Sequence, residues 1–101
     1  MADFKVVVAS RVGNQLIRHT EFLARVSVPA AKRFRNEYAN IFERLEDNSY
    51  QFPLETDYNL PDGVYRKALF GGRYKALFTL EENTVYLDAV VDCRQRMDLF
   101  D

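Results

Sequence analysis

The sequence contains few of the residues that small domains use in place of a large core. Cys93 is the only cysteine, which excludes an internal disulfide and a zinc site built from several cysteines, so we expect a reducing, cytoplasmic environment. His19 is the only histidine. Because no second ligand stands at metal spacing, we predict no metal site and a solvent-facing or boundary position for His19. No apolar run reaches the length of a signal-peptide core or a transmembrane helix, so we expect no membrane contact.

The chain also lacks a large excess of positive or of negative charge. Fourteen Lys and Arg residues oppose fifteen Asp and Glu residues, which gives a net charge of −1. Uniform attraction to nucleic acid needs an excess of positive charge, so we expect no stable DNA binding by this chain alone. With 101 residues, of which 48% are hydrophobic and 29% charged, the composition predicts one globular domain over residues 1–101. We predict no cofactor.

The spacing of apolar residues predicts an α+β domain with the element order βααβββ. The predicted strands cover residues 4–9, 64–70, 73–80 and 84–93. The predicted helices cover residues from about 14 to 25, with Asn14 or Ser10 as N-cap, and, from a cap at Ser27, residues up to about 48. Short connections between the last three strands indicate an antiparallel sheet, and we expect the helical hairpin to pack on one of its faces.

Three finer expectations concern burial. The first strand has the short β-branched pattern of a buried strand. Alternation in the last strand predicts four apolar side chains on the side of the helices, namely Val85, Leu87, Ala89 and Val91. The loop over residues 48–63 holds too many apolar residues for a solvated tether, so we expect it to pack along the edge of the domain.

Basic residues are concentrated in the predicted hairpin strands. Residues 63–80 carry four basic and no acidic side chains, and two more arginines follow the last strand; the six are Arg66, Lys67, Arg73, Lys75, Arg94 and Arg96. Convergence of these cations on one side of the sheet would create a binding site for phosphate or carboxylate groups. The alternative is that strand alternation divides them between the faces and that acidic neighbours such as Asp88 and Asp92 neutralise them.

Several short segments stand in a distinctive order along the chain: Phe22-Leu23 and Ser27-Val28-Pro29-Ala30-Ala31 in the helices, then Gly63-Val64-Tyr65-Arg66, Gly72-Arg73-Tyr74-Lys75, Val85-Tyr86 and Val90-Val91-Asp92-Cys93-Arg94-Gln95 in the strands. Together with the βααβββ order, they resemble the RelE/ParE superfamily of bacterial toxins from type II toxin–antitoxin systems. The resemblance spans the chain from Phe4 to about Phe100.

The resemblance implies a small toxin that arrests growth when freed from a cognate antitoxin. ParE-like members poison DNA gyrase by protein–protein contact and are not nucleases. RelE-like members enter the ribosomal A site and cleave mRNA, where the 2′-hydroxyl attacks the adjacent phosphate. Such cleavage needs a base for the hydroxyl, cations for the developing charge and an acid for the leaving oxygen.

For a RelE-like nuclease, the resemblance implies catalytic roles for Arg66, Lys75 and Arg94. Two positions depart from the nuclease pattern, since Ala68 stands where a second basic residue is expected and Phe100 stands where a tyrosine hydroxyl is expected. The hydroxyls that could substitute belong to Tyr65, Tyr74 and Tyr86. These departures favour a ParE-like, non-enzymatic gyrase poison. Ribosome-dependent mRNA cleavage is the alternative, and a non-toxic module that still binds its antitoxin is the third hypothesis.

The resemblance also implies an antitoxin segment that lies across the sheet and the helical hairpin. We expect an apolar, acidic peptide in this place, because the face it covers is basic. The residues predicted to contact it are Arg66, Arg73, Lys75, Arg94, Arg96 and Phe100.

Overall fold

The computed structural model describes residues 3–56, 60–61 and 63–94. Its elements follow the predicted βααβββ order and confirm the α+β class. In chain order they are strand β1 (Lys5–Val8), helices α1 (Ser10–Val26) and α2 (Val28–Asn48), a single 3₁₀ turn (Ser49–Gln51), and strands β2 (Arg66–Phe70), β3 (Tyr74–Glu81) and β4 (Thr84–Asp92). Within the described ranges, neither helix is long and apolar enough to cross a membrane.

The four strands form one mixed sheet in the order β1-β4-β3-β2. Strands β2, β3 and β4 are antiparallel, as predicted, whereas β1 lies parallel to β4 at one edge of the sheet. The Lys5 N–H fixes the start of this pairing by donating to the Asn83 carbonyl at 2.9 Å. The prediction of a buried first strand is wrong, because an edge strand has a neighbour on one side only and Val7 and Val8 stay exposed.

The helical hairpin covers one face of the sheet, as predicted. Ser27 both ends α1 and caps α2, since its hydroxyl accepts a hydrogen bond from the Ala30 N–H at 3.3 Å. Pro29 stands in the first turn of α2, where a helix needs no N–H donor. Between the helices and the sheet lies the main core, formed by Val12, Phe34, Ile41, Leu45, Phe52, Ala68, Phe70, Tyr74, Ala76, Phe78, Val85, Leu87 and Val90.

A β-bulge exchanges the faces of β4 partway along the strand. Asp88 has no partner in β3, because the register passes from Leu87 directly to Ala89. Leu87 faces the helices, but beyond the bulge it is Val90 that does so, while Ala89 and Val91 join a second buried cluster on the opposite face. The expectation that Ala89 and Val91 face the helices is wrong, because one extra residue shifts the two-residue period of a strand.

Residues 52–56, here called the strap, run along the edge of β2. The Lys67 N–H donates to the Pro53 carbonyl at 2.9 Å, and the Glu55 N–H donates to the Tyr65 carbonyl at 2.8 Å. These bonds satisfy part of the backbone that an edge strand would otherwise leave unpaired. Over residues 52–56, the loop after α2 therefore packs along the edge of the domain, as predicted from its apolar residues.

Candidate functional site

The strand register divides the predicted cations between the two faces of the sheet. Arg66 stands opposite Phe78, a core residue beneath the helices. Lys75 stands opposite Val91 on the other face, here called the strap face, and Lys67 points there as well because successive strand residues alternate. The expectation that these cations converge on one side of the sheet is therefore wrong, and alternation divides them.

Lys75 and Lys67 share one carboxylate on the strap face. Lys75 Nζ donates to Glu55 Oε2 at 2.6 Å, and Lys67 Nζ lies 3.9 Å from Glu55 Oε1. The Glu55 side chain has 0% of its surface exposed, compared with 5% for Lys75 and 20% for Lys67. A carboxylate this deeply buried is stable only when cations and hydrogen bonds replace its lost hydration. In this conformation Lys75 is thus a structural partner of Glu55.

Arg66 holds the start of the strap against the sheet. Its Nη1 donates to the Phe52 carbonyl at 2.6 Å. The guanidinium also lies 5.3 Å from the centre of the Tyr50 ring, within the range of a cation–π interaction. Arg66 therefore connects the segment that follows α2 to the first residue of β2, on the helix side of the sheet.

Arg73 pairs with Asp92 at the end of the sheet. Arg73 Nε donates to Asp92 Oδ2 at 3.1 Å, and its Nη2 bonds to the same oxygen. The guanidinium also lies over the rings of Phe22 and Tyr74, 5.8 and 5.2 Å from their centres. Asp92 accepts a further hydrogen bond from the Arg94 N–H at 2.9 Å. The prediction that Asp92 neutralises a neighbouring cation is confirmed.

The three residues predicted for a nuclease stand in three different settings. Arg66 lies at the helix-side edge of β2, Lys75 is buried on the strap face, and Arg94 is exposed beyond the end of β4. Among the predicted partner contacts, Asp92 brings together the Arg73 side chain and the Arg94 backbone. Arg96 and Phe100 lie outside the described residues, so their roles stay predictions.

Tyr65 and Tyr74 are poorly matched to acid–base chemistry at neutral pH. Burial, and then a hydrogen bond that its hydroxyl donates to Asp88 Oδ2 at 2.8 Å, raise the pKa of Tyr65 to about 12. Burial likewise raises the pKa of Tyr74, whose hydroxyl has no hydrogen-bond partner in the part of the chain that the structure describes. Proton transfer is most efficient when the pKa of the catalytic group lies near the working pH.

Two polar residues of α1 that the sequence analysis missed bind the backbone of β4. Gln15 Oε1 accepts a hydrogen bond from the Val90 N–H at 2.8 Å, and His19 Nε2 donates to the Val90 carbonyl at 2.9 Å. Strand β1 pairs with β4 only as far as Leu87, so beyond that residue β4 has no strand neighbour on this side. The side chains of Gln15 and His19, one helical turn apart on α1, bind the backbone of β4 there instead. The prediction of a solvent-facing or boundary His19 is wrong, because these contacts bury its ring.

Acidification below about pH 6.5 is expected to destabilise the protein through His19. Burial lowers the pKa of His19 from its ordinary value of 6.5, and the hydrogen bond to Val90 and the charge of Asp92 oppose this only in part. The unfolded chain therefore binds this proton at a higher pH than the folded chain does. The contribution of neutral His19 to the free energy of unfolding is therefore present above pH 6.5 and is lost as the pH falls from that value toward the folded pKa.

Thermal melts of the wild type and of His19→Gln between neutral and mildly acidic pH test this expectation. All other titratable groups are present in both proteins, so the difference between the two reports the histidine. The wild type should lose more of its Tm than the variant as the pH falls. An equal loss in the two proteins would contradict the assignment.

The described residues offer neither a metal cage nor an activated thiol. Within the described ranges, no group of three His, Cys, Asp or Glu side chains stands close enough to hold a metal ion. Cys93 is exposed after β4, and desolvation raises the pKa of its thiol above the ordinary value. A raised pKa leaves less thiolate, which is the nucleophilic form.

A groove of about 520 Å³ lies between α1 and α2. Its lining is mostly apolar and consists of Leu16, Ile17, Thr20, Glu21, Phe34, Arg35 and Tyr38. Ile17 is 56% exposed, and the basic residues Lys32 and Arg33 are exposed on the same half of α2 as Arg35. Its charged lining residues are Glu21 on α1 and Arg35 on α2, so the groove has the apolar floor that fits one side of an amphipathic helix.

Comparison of the chain with models of known protein families gave no match, and no curated protein gave a significant match either. The RelE/ParE resemblance therefore stays a prediction that depends on the short segments and their order.

Proposed function

We propose that the chain is the toxin of a type II toxin–antitoxin system and that it acts as a ParE-like poison of DNA gyrase. The observation that carries this proposal is the fold, in which a helical hairpin between β1 and β2 packs on one face of the sheet in the order βααβββ. This is the arrangement that the resemblance implies. A fold hosts more than one function, so the choice of target depends on the site residues.

The arrangement of the cations favours gyrase over mRNA cleavage. A nuclease needs several cations aimed at one phosphate, together with an acid and a base. Here Arg66 binds the Phe52 carbonyl on one face, while Lys75 binds Glu55 in the interior of the other face. The Tyr65 hydroxyl, with its pKa near 12, is a weak acid for the leaving oxygen. Contact with a protein target requires none of these groups to converge.

The groove between α1 and α2 supports the proposed antitoxin partner. Ile17 exposes apolar surface in the groove from α1, and Arg35 borders the groove from α2. An acidic amphipathic helix would bury the apolar groups and meet the basic ones. In this proposal the antitoxin, the gyrase target and the toxin all belong to the bacterial cytoplasm.

Induced expression in a bacterial host is the experiment that tests the proposal. We expect growth arrest, together with induction of a DNA-damage reporter. The purified protein should trap cleaved DNA on purified gyrase and should leave a defined mRNA intact on stalled ribosomes. The Arg94→Ala variant serves as the control, because Arg94 is the exposed member of the predicted nuclease set and its replacement leaves the core untouched.

Two outcomes would overturn parts of the proposal. Cuts within the A-site codon that disappear in Arg94→Ala would show a ribosome-dependent endoribonuclease instead of a gyrase poison. Normal growth at high expression, with the protein folded, would contradict toxicity and leave an antitoxin-binding module.

A further inference from the structure

The two edges of the sheet differ in how their backbone groups are satisfied. The strap exchanges hydrogen bonds with β2, whereas no segment in the described part of the chain pairs with the outer side of β1. At the two ends of β1, the N–H groups of Lys5 and Ala9 both donate to carbonyls of the neighbouring chain at β4, each at 2.9 Å. Because backbone groups alternate in direction along a strand, those of Val6 and Val8 point to the open side.

Exposed apolar side chains continue from this open edge onto the strap face. Val7 pairs with Tyr86 of β4, and the two residues are 39% and 37% exposed. They face away from the helices, because the preceding pair of the register, Val6 and Val85, packs in the main core. The strap lies at the opposite edge of the sheet and does not cover them. The outer side of β1 thus offers both unpaired backbone groups and apolar surface.

We propose that β1 is the interface of a homodimer, in which the β1 strands of two copies pair antiparallel about a two-fold axis at Val7. Val6 of each copy exchanges backbone hydrogen bonds with Val8 of the other, and the two Val7 side chains meet at the axis. The strap covers the β2 edge of both copies, so the pairing closes at two copies and does not extend into a fibre. This self-association is independent of whether the chain arrests growth.

A second copy of the chain matches this edge in charge. In the antiparallel register, the exposed Lys5 stands opposite Ala9 of the second copy, and Asp88 lies beside Ala9 on β4. Lys5 shares the strap face with Val7, and Asp88 accepts a hydrogen bond from Tyr65 on that face. Two strand spacings, about 10 Å, separate the two backbones, and the lysine and aspartate side chains together span this distance. The cation at the edge therefore finds its anion on the same chain, as self-association requires.

Sedimentation velocity tests the proposal on the full chain between about 10 µM and 1 mM, because a small interface supports only weak pairing. We expect the wild type to pass from monomer to dimer within this range. The Val7→Lys variant places two ammonium groups opposite each other at the axis and should weaken the dimer about tenfold or more. The Leu69→Lys control makes the same kind of change at a residue of β2 that is 62% exposed, and it should dimerise like the wild type.

Hydrogen exchange of the wild type locates the pairing within the chain. The amides of Val6 and Val8 should exchange more slowly at high protein concentration, because the second copy accepts their hydrogen bonds. The Val7 amide faces β4 in the monomer, so its exchange should change less. This measurement needs no variant and gives an answer even if Val7→Lys fails to fold.

Three outcomes would overturn the proposal. A wild type that stays monomeric up to about 1 mM would leave this edge to a strand of another protein. A dimer that persists in Val7→Lys, or that leaves the exchange of Val6 and Val8 unchanged, would have its interface elsewhere. Species that grow beyond the dimer with concentration would contradict the closed two-fold pairing.

Discussion

Replacement of Lys75 by methionine is expected to lower the free energy of unfolding by about 3–5 kcal/mol. The variant removes the ammonium group that donates to Glu55 at 2.6 Å, from a carboxylate whose side chain has 0% of its surface exposed. Methionine has nearly the shape of the lysine stem, so the loss reports the charge more than the packing. Small domains have a net stability of about 5–15 kcal/mol, so this one change removes a large part of it.

Urea unfolding of Lys75→Met and of Lys67→Met provides the measurement and its matched control. The Lys67 side chain is 20% exposed, and its Nζ lies 3.9 Å from Glu55. Its removal should cost less than about 1 kcal/mol, as is usual for partly solvated pairs. Equal decreases in the free energy of unfolding of the two variants would show that the contact of Lys75 with Glu55 stabilises the protein no more than that of Lys67.

The double variant Glu55→Leu/Lys75→Met distinguishes two causes of the expected destabilisation, namely the buried charge of Glu55 and the altered packing around Lys75. Apolar residues of similar volume often replace a buried ion pair without loss of stability. We therefore expect the double variant to recover most of the stability that Lys75→Met loses. If it does not, the loss in the single variant comes from packing around Lys75 and not from removal of the ammonium group beside the carboxylate.

Local sequence patterns were sufficient to predict most elements of the fold. The second helix begins and ends where its apolar spacing and the Ser27 cap indicate, since both signals lie within a few residues of the element. The antiparallel hairpins follow in the same way from short connections between strands. Helix α1 begins at Ser10, earlier than predicted, because its first turn carries no side-chain cap that would mark its start.

The side chains at the site depended on pairings that no local pattern shows. The bulge at Asp88 cannot be found from alternation, because it appears only when β4 is aligned with β3. It changes which residues of β4 face the helices. Likewise, Glu55 meets Lys75 across 20 residues and His19 meets Val90 across 71, so neither contact leaves a signal at a fixed spacing.

The basic residues of the candidate site could be recognised in the sequence, but the face of the sheet on which each one lies could not be predicted. Four basic residues on neighbouring strands do mark an unusual region of the chain. Whether they converge depends on register, and the register places Arg66 and Lys75 on opposite faces. A signal for Gln15 and His19 was present, since both lie one turn apart on the face of α1 that carries the buried Val12. Polar residues within an apolar stripe need partners in the interior.

Replacement of Gln15 by leucine is expected to destabilise the protein by about 1–3 kcal/mol. Leucine fills most of the space of the glutamine but cannot accept the hydrogen bond that the Val90 N–H donates at 2.8 Å. Because β1 ends its pairing at Leu87, no neighbouring strand in the described part of the chain supplies an acceptor in its place. The cost is that of a buried donor left without a partner, and it should appear in urea unfolding.

The neighbouring Asn14→Leu variant makes the same kind of change at an exposed position of α1. It should alter stability by no more than about 0.5 kcal/mol, as is usual for surface substitutions. Hydrogen exchange then locates the effect: in Gln15→Leu the Val90 amide should exchange faster relative to the amides of β3. A loss shared equally by both variants, with unchanged protection at Val90, would mean that helix α1 supports β4 by apolar packing alone.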